Sequence, residues 1–118
     1  MRFERRFDSP KPPVEVLRLI ADFRHLKSWD PSVESVEPLD EVFGQGSQYQ
    51  VRVLFAGNPT EMRYTVTAYE PGARAVLTGI ADKATAVDTI EVSTTDQGAA
   101  IACVAATRLA FPYPCIDP

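Results

Sequence analysis

The chain has 118 residues, 45% of them hydrophobic and 24% charged, the size of one compact domain that can bury a core without a metal or disulfide staple. Lys+Arg 12 against Asp+Glu 16 leaves a net charge of -4, which argues against a nucleic-acid binder, because phosphate neutralisation needs clustered cations. Aromatic residues spread through patterned segments exclude a disordered chain.

Arg2 to Asp8 sets Phe3, Arg5 and Phe7 against Arg2, Glu4 and Arg6, the alternation of a short strand. Pro12 and Pro13 then suit a helix start, where a missing N–H costs nothing. Val16, Leu17, Ile20, Ala21 and Phe23 recur at helical period, with Glu15, Arg18, Asp22 and Arg24 on the polar side. A second helical turn is expected over His25 to Trp29, stopped at Asp30-Pro31.

From there the pattern is strands joined by turns. Runs are expected over Val33–Leu39, Ser47–Phe55, Thr60–Tyr69, Ala73–Ile80, Ala84–Ser93 and Ala99–Phe111. Between them, Ala56-Gly57-Asn58-Pro59, Glu70-Pro71-Gly72 and Thr95-Asp96-Gln97-Gly98 are turn signals. Successive strands with short turns imply an antiparallel meander. One amphipathic helix cannot cover both faces of such a sheet, so the sheet must curl around its apolar face. Gly79, alone in a strand pattern, suggests a bulge or sharp bend.

No apolar run reaches the roughly 20 residues of a spanning helix, and the charged start lacks the apolar core of a signal peptide. A cytoplasmic protein is expected, and with it no disulfide between Cys103 and Cys115. One histidine and no paired cysteine motif leave no recognisable metal site, and no cofactor is implied. His25, between Arg24 and Lys27, reads as a solvated surface residue, without a Ser or Cys partner for catalysis.

Pro13 to Phe23, followed by Leu26-Lys27-Ser28-Trp29-Asp30-Pro31-Ser32-Val33, resembles the opening of the SRPBCC superfamily of START-related lipid-transfer proteins, plant pathogenesis-related allergens and polyketide cyclase/dehydrases. Gly44-Gln45-Gly46-Ser47, Tyr64 to Pro71 and Val87 to Val92 extend the resemblance over nearly the whole chain. It implies an α+β helix-grip fold: a curved antiparallel sheet of six or seven strands, with an N-terminal helix pair after the first strand, around an elongated apolar cavity. Members normally finish with a long C-terminal helix across the concave face. Here Pro112 to Pro118 holds three prolines, which cannot make one, so residues 1–111 read as one domain and 112–118 as a Pro-rich tail. The uncovered face points to a possible homodimer.

The expected ligand wall is Tyr49, Val51, Val53 and Phe55 on one strand and Met62, Tyr64 and Val66 on the next, with Leu77 beside them. Plain core is the blander reading of the same residues. Trp29 is either a stacking wall or a packing anchor between helices and sheet. Asp88 shares the face of Ile90 and Val92 if these point inward; it would then orient a ligand hydroxyl or act as a base, Thr89 adding a polar contact. A strand-end carboxylate beside solvent, or one held in an intramolecular ion pair, is the alternative. Ala99 to Ala106 is apolar on both faces, which suggests close packing, against the missing helix on one side and a partner chain on the other. Three functions stay open: a binder of an apolar or amphipathic small molecule, a cyclase/dehydrase-like enzyme using Asp88 and Tyr64, and a non-catalytic protein-interaction module.

Overall fold

The structure, a computed structural model, describes residues 2–55, 57–82 and 84–109. Its elements are β1 (Arg2–Ser9), α1 (Pro13–Ala21), a 3-10 helix (Phe23–Ser28), β2 (Val33–Pro38), β3 (Gln48–Phe55), β4 (Asn58–Glu70), β5 (Arg74–Ala81), β6 (Ala84–Thr95) and β7 (Gly98–Leu109). All strands belong to one curved antiparallel sheet in the order β1-β7-β6-β5-β4-β3-β2. From β2 to β7 each strand pairs with its successor, and β7 then closes on β1, Arg2 lying opposite Ala106. The helices carry the chain from one sheet edge to the other across the concave face. This is the helix-grip, START-like architecture. Among the described residues no helix follows β7, and the expected tail at 112–118 lies outside them.

The amphipathic face of α1 explains its seat. Val16, Leu17 and Ala21 are buried, and the helix rests on β5, β6 and β7. Burying a leucine such as Leu17 completely is worth about 1.5–3 kcal/mol. Beneath it the concave face presents Tyr49, Val51, Met62, Val66, Ala75, Leu77, Ile90 and Ile101, all buried. The convex face carries Val76, Val87 and Val104 among threonines and alanines over β5 to β7, and is polar over β2 to β4. Arg52 bridges Glu34 at 3.1 Å and Glu61 at 3.3 Å there, tying β2, β3 and β4 together.

Three local expectations are corrected. The β3–β4 turn is tighter than its Ala-Gly-Asn-Pro signal, because Phe55 already pairs with Asn58 and Gly57 takes φ 82. Pro59 can therefore sit inside β4, since β5 starts pairing only at Arg63 and no ladder bond is lost on that side. Gly79 is no bulge: it pairs regularly with Tyr64 and Ala86, and the register shift falls between Val66 and Ala68. A Cβ on Gly79 would stand 2.6 Å from the Tyr64 ring, so the missing side chain is the seat of that ring. The alanine-rich β7 is an interior strand of the sheet. Its convex Ala102 lies in one cross-strand row with Arg6 and Glu91, whose long side chains flank it within the same sheet.

Candidate site on the concave face

Antiparallel pairing places directly opposite residues on the same face, so the register defines rows across the concave wall. One row runs Val66, Leu77, Asp88, Ala105, Phe3. The row on one side is Tyr49, Tyr64, Gly79, Ala86, Thr107. On the other side lie Ala75, Ile90, Cys103 and Arg5. Asp88 is thus a carboxyl set into an apolar wall, between Leu77 and Ala105 across the strands and Ala86 and Ile90 along β6.

Asp88 faces inward because Ala84, Ala86, Ile90 and Val92, all buried, share its parity on β6. No hydrogen bond or ion pair reaches it from the described residues. Burial pushes its carboxyl up to about 7, with the negative charge of Asp30 adding to the effect. Asp30 stays in place by accepting hydrogen bonds from the Ser32 backbone N–H at 3.0 Å and hydroxyl at 2.7 Å.

Tyr64 lies in the adjoining row. Burial, then the charges of Asp88 and Asp30, raise its phenol well above the ordinary range, so it stays protonated. Its hydroxyl donates only a weak contact to Met62 Sδ, at 3.9 Å. Cys103 is a free thiol; burial, with Asp88 adding, pushes it up to about 11 against the opposing charge of Arg5. The wall therefore offers one carboxyl that changes charge near neutrality and one phenol that always donates.

The helical side closes one end of this wall with aromatics. Phe23 packs edge-on against Tyr64 at 5.1 Å between centroids, and approaches Tyr49 at 6.1 Å and Trp29 at 6.4 Å. Trp29 caps the 3-10 helix at its C-terminal end, 39% exposed. Its ring leans on Phe23, the anchor position rather than the centre of the wall.

Several expected wall residues fall together and others do not. Tyr49, Val51, Met62, Tyr64, Val66 and Leu77 all lie buried on the concave face, with Val53 half-buried at its margin. Phe55 continues β3, its side chain outside the described part of the structure. Thr89 must be removed: one residue on from Asp88, it has the opposite parity and lies with Val87 and Glu91 on the convex face. Tyr49 has a different task from the expected one. Its hydroxyl donates to Asp22 Oδ1 at 2.8 Å, and Arg24 Nε donates to the same oxygen at 3.0 Å. Sequence patterning put Asp22 on the polar side of α1, whereas it is buried at the junction of the two helices. An acid immediately before the aromatic that opens the second helical turn was the available signal.

Two surface depressions, of about 470 and 590 Å³, lie along the β1 side of the sheet. Ser9, Pro10, Thr95 and Gln97 line the first, and Phe7, Val92 and Ile101 the second; neither is lined by Asp88 or Tyr64. Among the described residues no helix is long and apolar enough to cross a membrane.

A family model described as polyketide cyclase / dehydrase and lipid transport matches residues 1–114. No curated protein sequence matches the chain. Among solved structures, a START superfamily protein from Mycobacterium smegmatis superposes with a TM-score of 0.75 at 11% identity, over 94% of this chain and 79% of that one. A Thermus thermophilus protein gives 0.73 at 20% identity, over 98% and 79%. A Deinococcus radiodurans protein gives 0.71 at 17%, over 92% and 83%. At these identities the likeness is one of fold.

Proposed function

Because the chain belongs to the polyketide cyclase / dehydrase and lipid transport family, we propose that its concave face binds an apolar or amphipathic small molecule carrying one oxygen function. The observation that carries this reading is Asp88, a carboxyl without a protein partner in a row of apolar side chains. Asp88 is half-buried and its carboxyl oxygens keep contact with solvent, which a ligand hydroxyl or carbonyl beside Tyr64 would replace with a hydrogen bond. Apolar contacts to Leu77, Val66 and Phe23 would supply the bulk of the affinity, and the two polar groups its orientation.

Native mass spectrometry of the purified protein, followed by denaturing extraction, tests the reading. A co-purifying apolar compound lost from Asp88→Asn and Tyr64→Phe is the expected result. An empty protein that also fails to bind an apolar fluorescent probe saturably would overturn it.

A second reading, acid–base chemistry of the cyclase/dehydrase kind, is favoured by one specific observation. A carboxyl titrating at about 7 is matched to proton transfer near neutral pH. If an enolisable ketone substrate turns over, the rate should show a titration near 7 that vanishes in Asp88→Asn. A substrate that binds without turning over leaves binding as the function.

A further inference from the structure

Among the described residues strand β1 forms one edge of the sheet: it pairs with β7, and its other side meets no strand. Every residue from Arg2 to Asp8 is exposed, including Phe3 at 63% and Phe7 at 38%. An open edge of this length bearing two phenylalanines is a template for another strand. Its convex face reads Arg2, Glu4, Arg6, Asp8, in strict alternation of sign; its concave face reads Phe3, Arg5, Phe7.

We propose that β1 pairs antiparallel with β1 of a second copy of this chain, about a two-fold axis at Arg5, joining the two sheets into one. In that register Arg2 lies opposite Asp8 of the second copy, Glu4 opposite Arg6, and Phe3 opposite Phe7. Each pair occurs twice by symmetry. Four ion pairs thus line the convex side and two aromatic pairs the concave side, the kinds of cross-strand neighbour that stabilise a sheet.

The sequence admits no other regular register. A shift one way sets Arg2 on Arg6 and Glu4 on itself; a shift the other way sets Glu4 on Asp8 and Arg6 on itself. A register offset by a single residue would turn concave side chains to the convex face. The opposite sheet edge is a poor alternative partner. β2 carries a register break between Val33 and Ser35 and ends at Pro38; in β1, Arg6 donates to Glu4 of its own strand at 3.1 Å, and these two would exchange partners across the axis. Pairing β1 with itself also closes the assembly at two copies, whereas β1 on β2 would propagate. Arg5 on the axis is the unfavourable element. Each Arg5 guanidinium lies 5.8 Å from the centroid of its own Phe7 ring, and the pair sets like charges face to face.

Sedimentation equilibrium over a concentration series at low salt reads the outcome, with circular dichroism as the check on folding. The wild-type chain should show a monomer–dimer equilibrium. E4R sets like charges opposite one another twice and should weaken it roughly tenfold or more. The double variant E4R/R6E restores complementarity and should recover the dimer, and R5L should tighten it. The pair R2D and R2D/D8R repeats the logic at the strand ends, should E4R not fold. A monomer at every concentration, a dimer indifferent to E4R, or a double variant as weak as the single one would overturn the proposal. A dimer formed through the open concave face would show that indifference.

Discussion

At the scale of single residues, Asp88 decides most. Its carboxyl ordinarily titrates near 3.8 and is raised to about 7 in the folded chain. The native state therefore holds a proton that the unfolded chain releases, and this group makes stability fall as pH rises between those values. Above about 7 the penalty is complete and constant. A shift of this size corresponds to at most about 4 kcal/mol. Asp88→Asn should remove the dependence: urea midpoints at pH 5 and pH 8 should lie closer together than in the wild type, and the variant should be the more stable at pH 8. Equal wild-type midpoints would show that Asp88 is solvated. Gly79 illustrates how much of a residue's meaning is its cross-strand neighbour. It reads as a defect in a strand until the Tyr64 ring is seen lying over it.

Among elements, the junction of α1 and the 3-10 helix is held by Asp22, which touches three pieces of structure. Its Oδ1 accepts from the Arg24 backbone N–H at 3.3 Å and side chain at 3.0 Å, capping the 3-10 helix, and from Tyr49 on β3. Arg24 in turn donates to the Glu41 carbonyl at 3.1 Å. Asp22→Ala would strand the buried Tyr49 hydroxyl and remove the cap, and should cost about 2–3 kcal/mol in chemical denaturation. Asp22→Asn keeps an acceptor and should cost clearly less. The helix pair was legible as amphipathic periodicity followed by Asp-Pro, and its burial face was read correctly at Val16, Leu17 and Ala21. The Asp22 tie was not, because Tyr49 is distant in sequence and nothing local announces the partner.

For the whole molecule, the last strand completes the sheet. Among the described residues β7 is the sole strand partner of β1 and a flank of β6, and it delivers Ala99 and Ile101 to the core. A chain ending at Gln97 should therefore lose cooperative thermal unfolding, monitored by circular dichroism, rather than lose one strand's worth of signal. Retention of a sharp transition would show that β2 to β6 with α1 form a folding unit. The closure of β1 onto β7 also leaves β1 at an edge, which is why its charge alternation bears on assembly.

Alternation and turn chemistry by themselves determined the number of strands, their succession, the single helix crossing and the curled sheet, because those follow from which residues can face an apolar interior at period two or 3.6. They also determined which residues of β3 and β4 face the concave interior. Position relative to distant strands was decided only by tertiary structure: the inward parity of Asp88 against the outward parity of Thr89, the seat of Tyr64 over Gly79, the capture of Tyr49 by Asp22, and the placement of β7 inside the sheet. Each depends on register or on a partner many residues away. Local sequence carries the period of a strand, but the pairing that turns a period into a face and a neighbour exists only when the chain is folded.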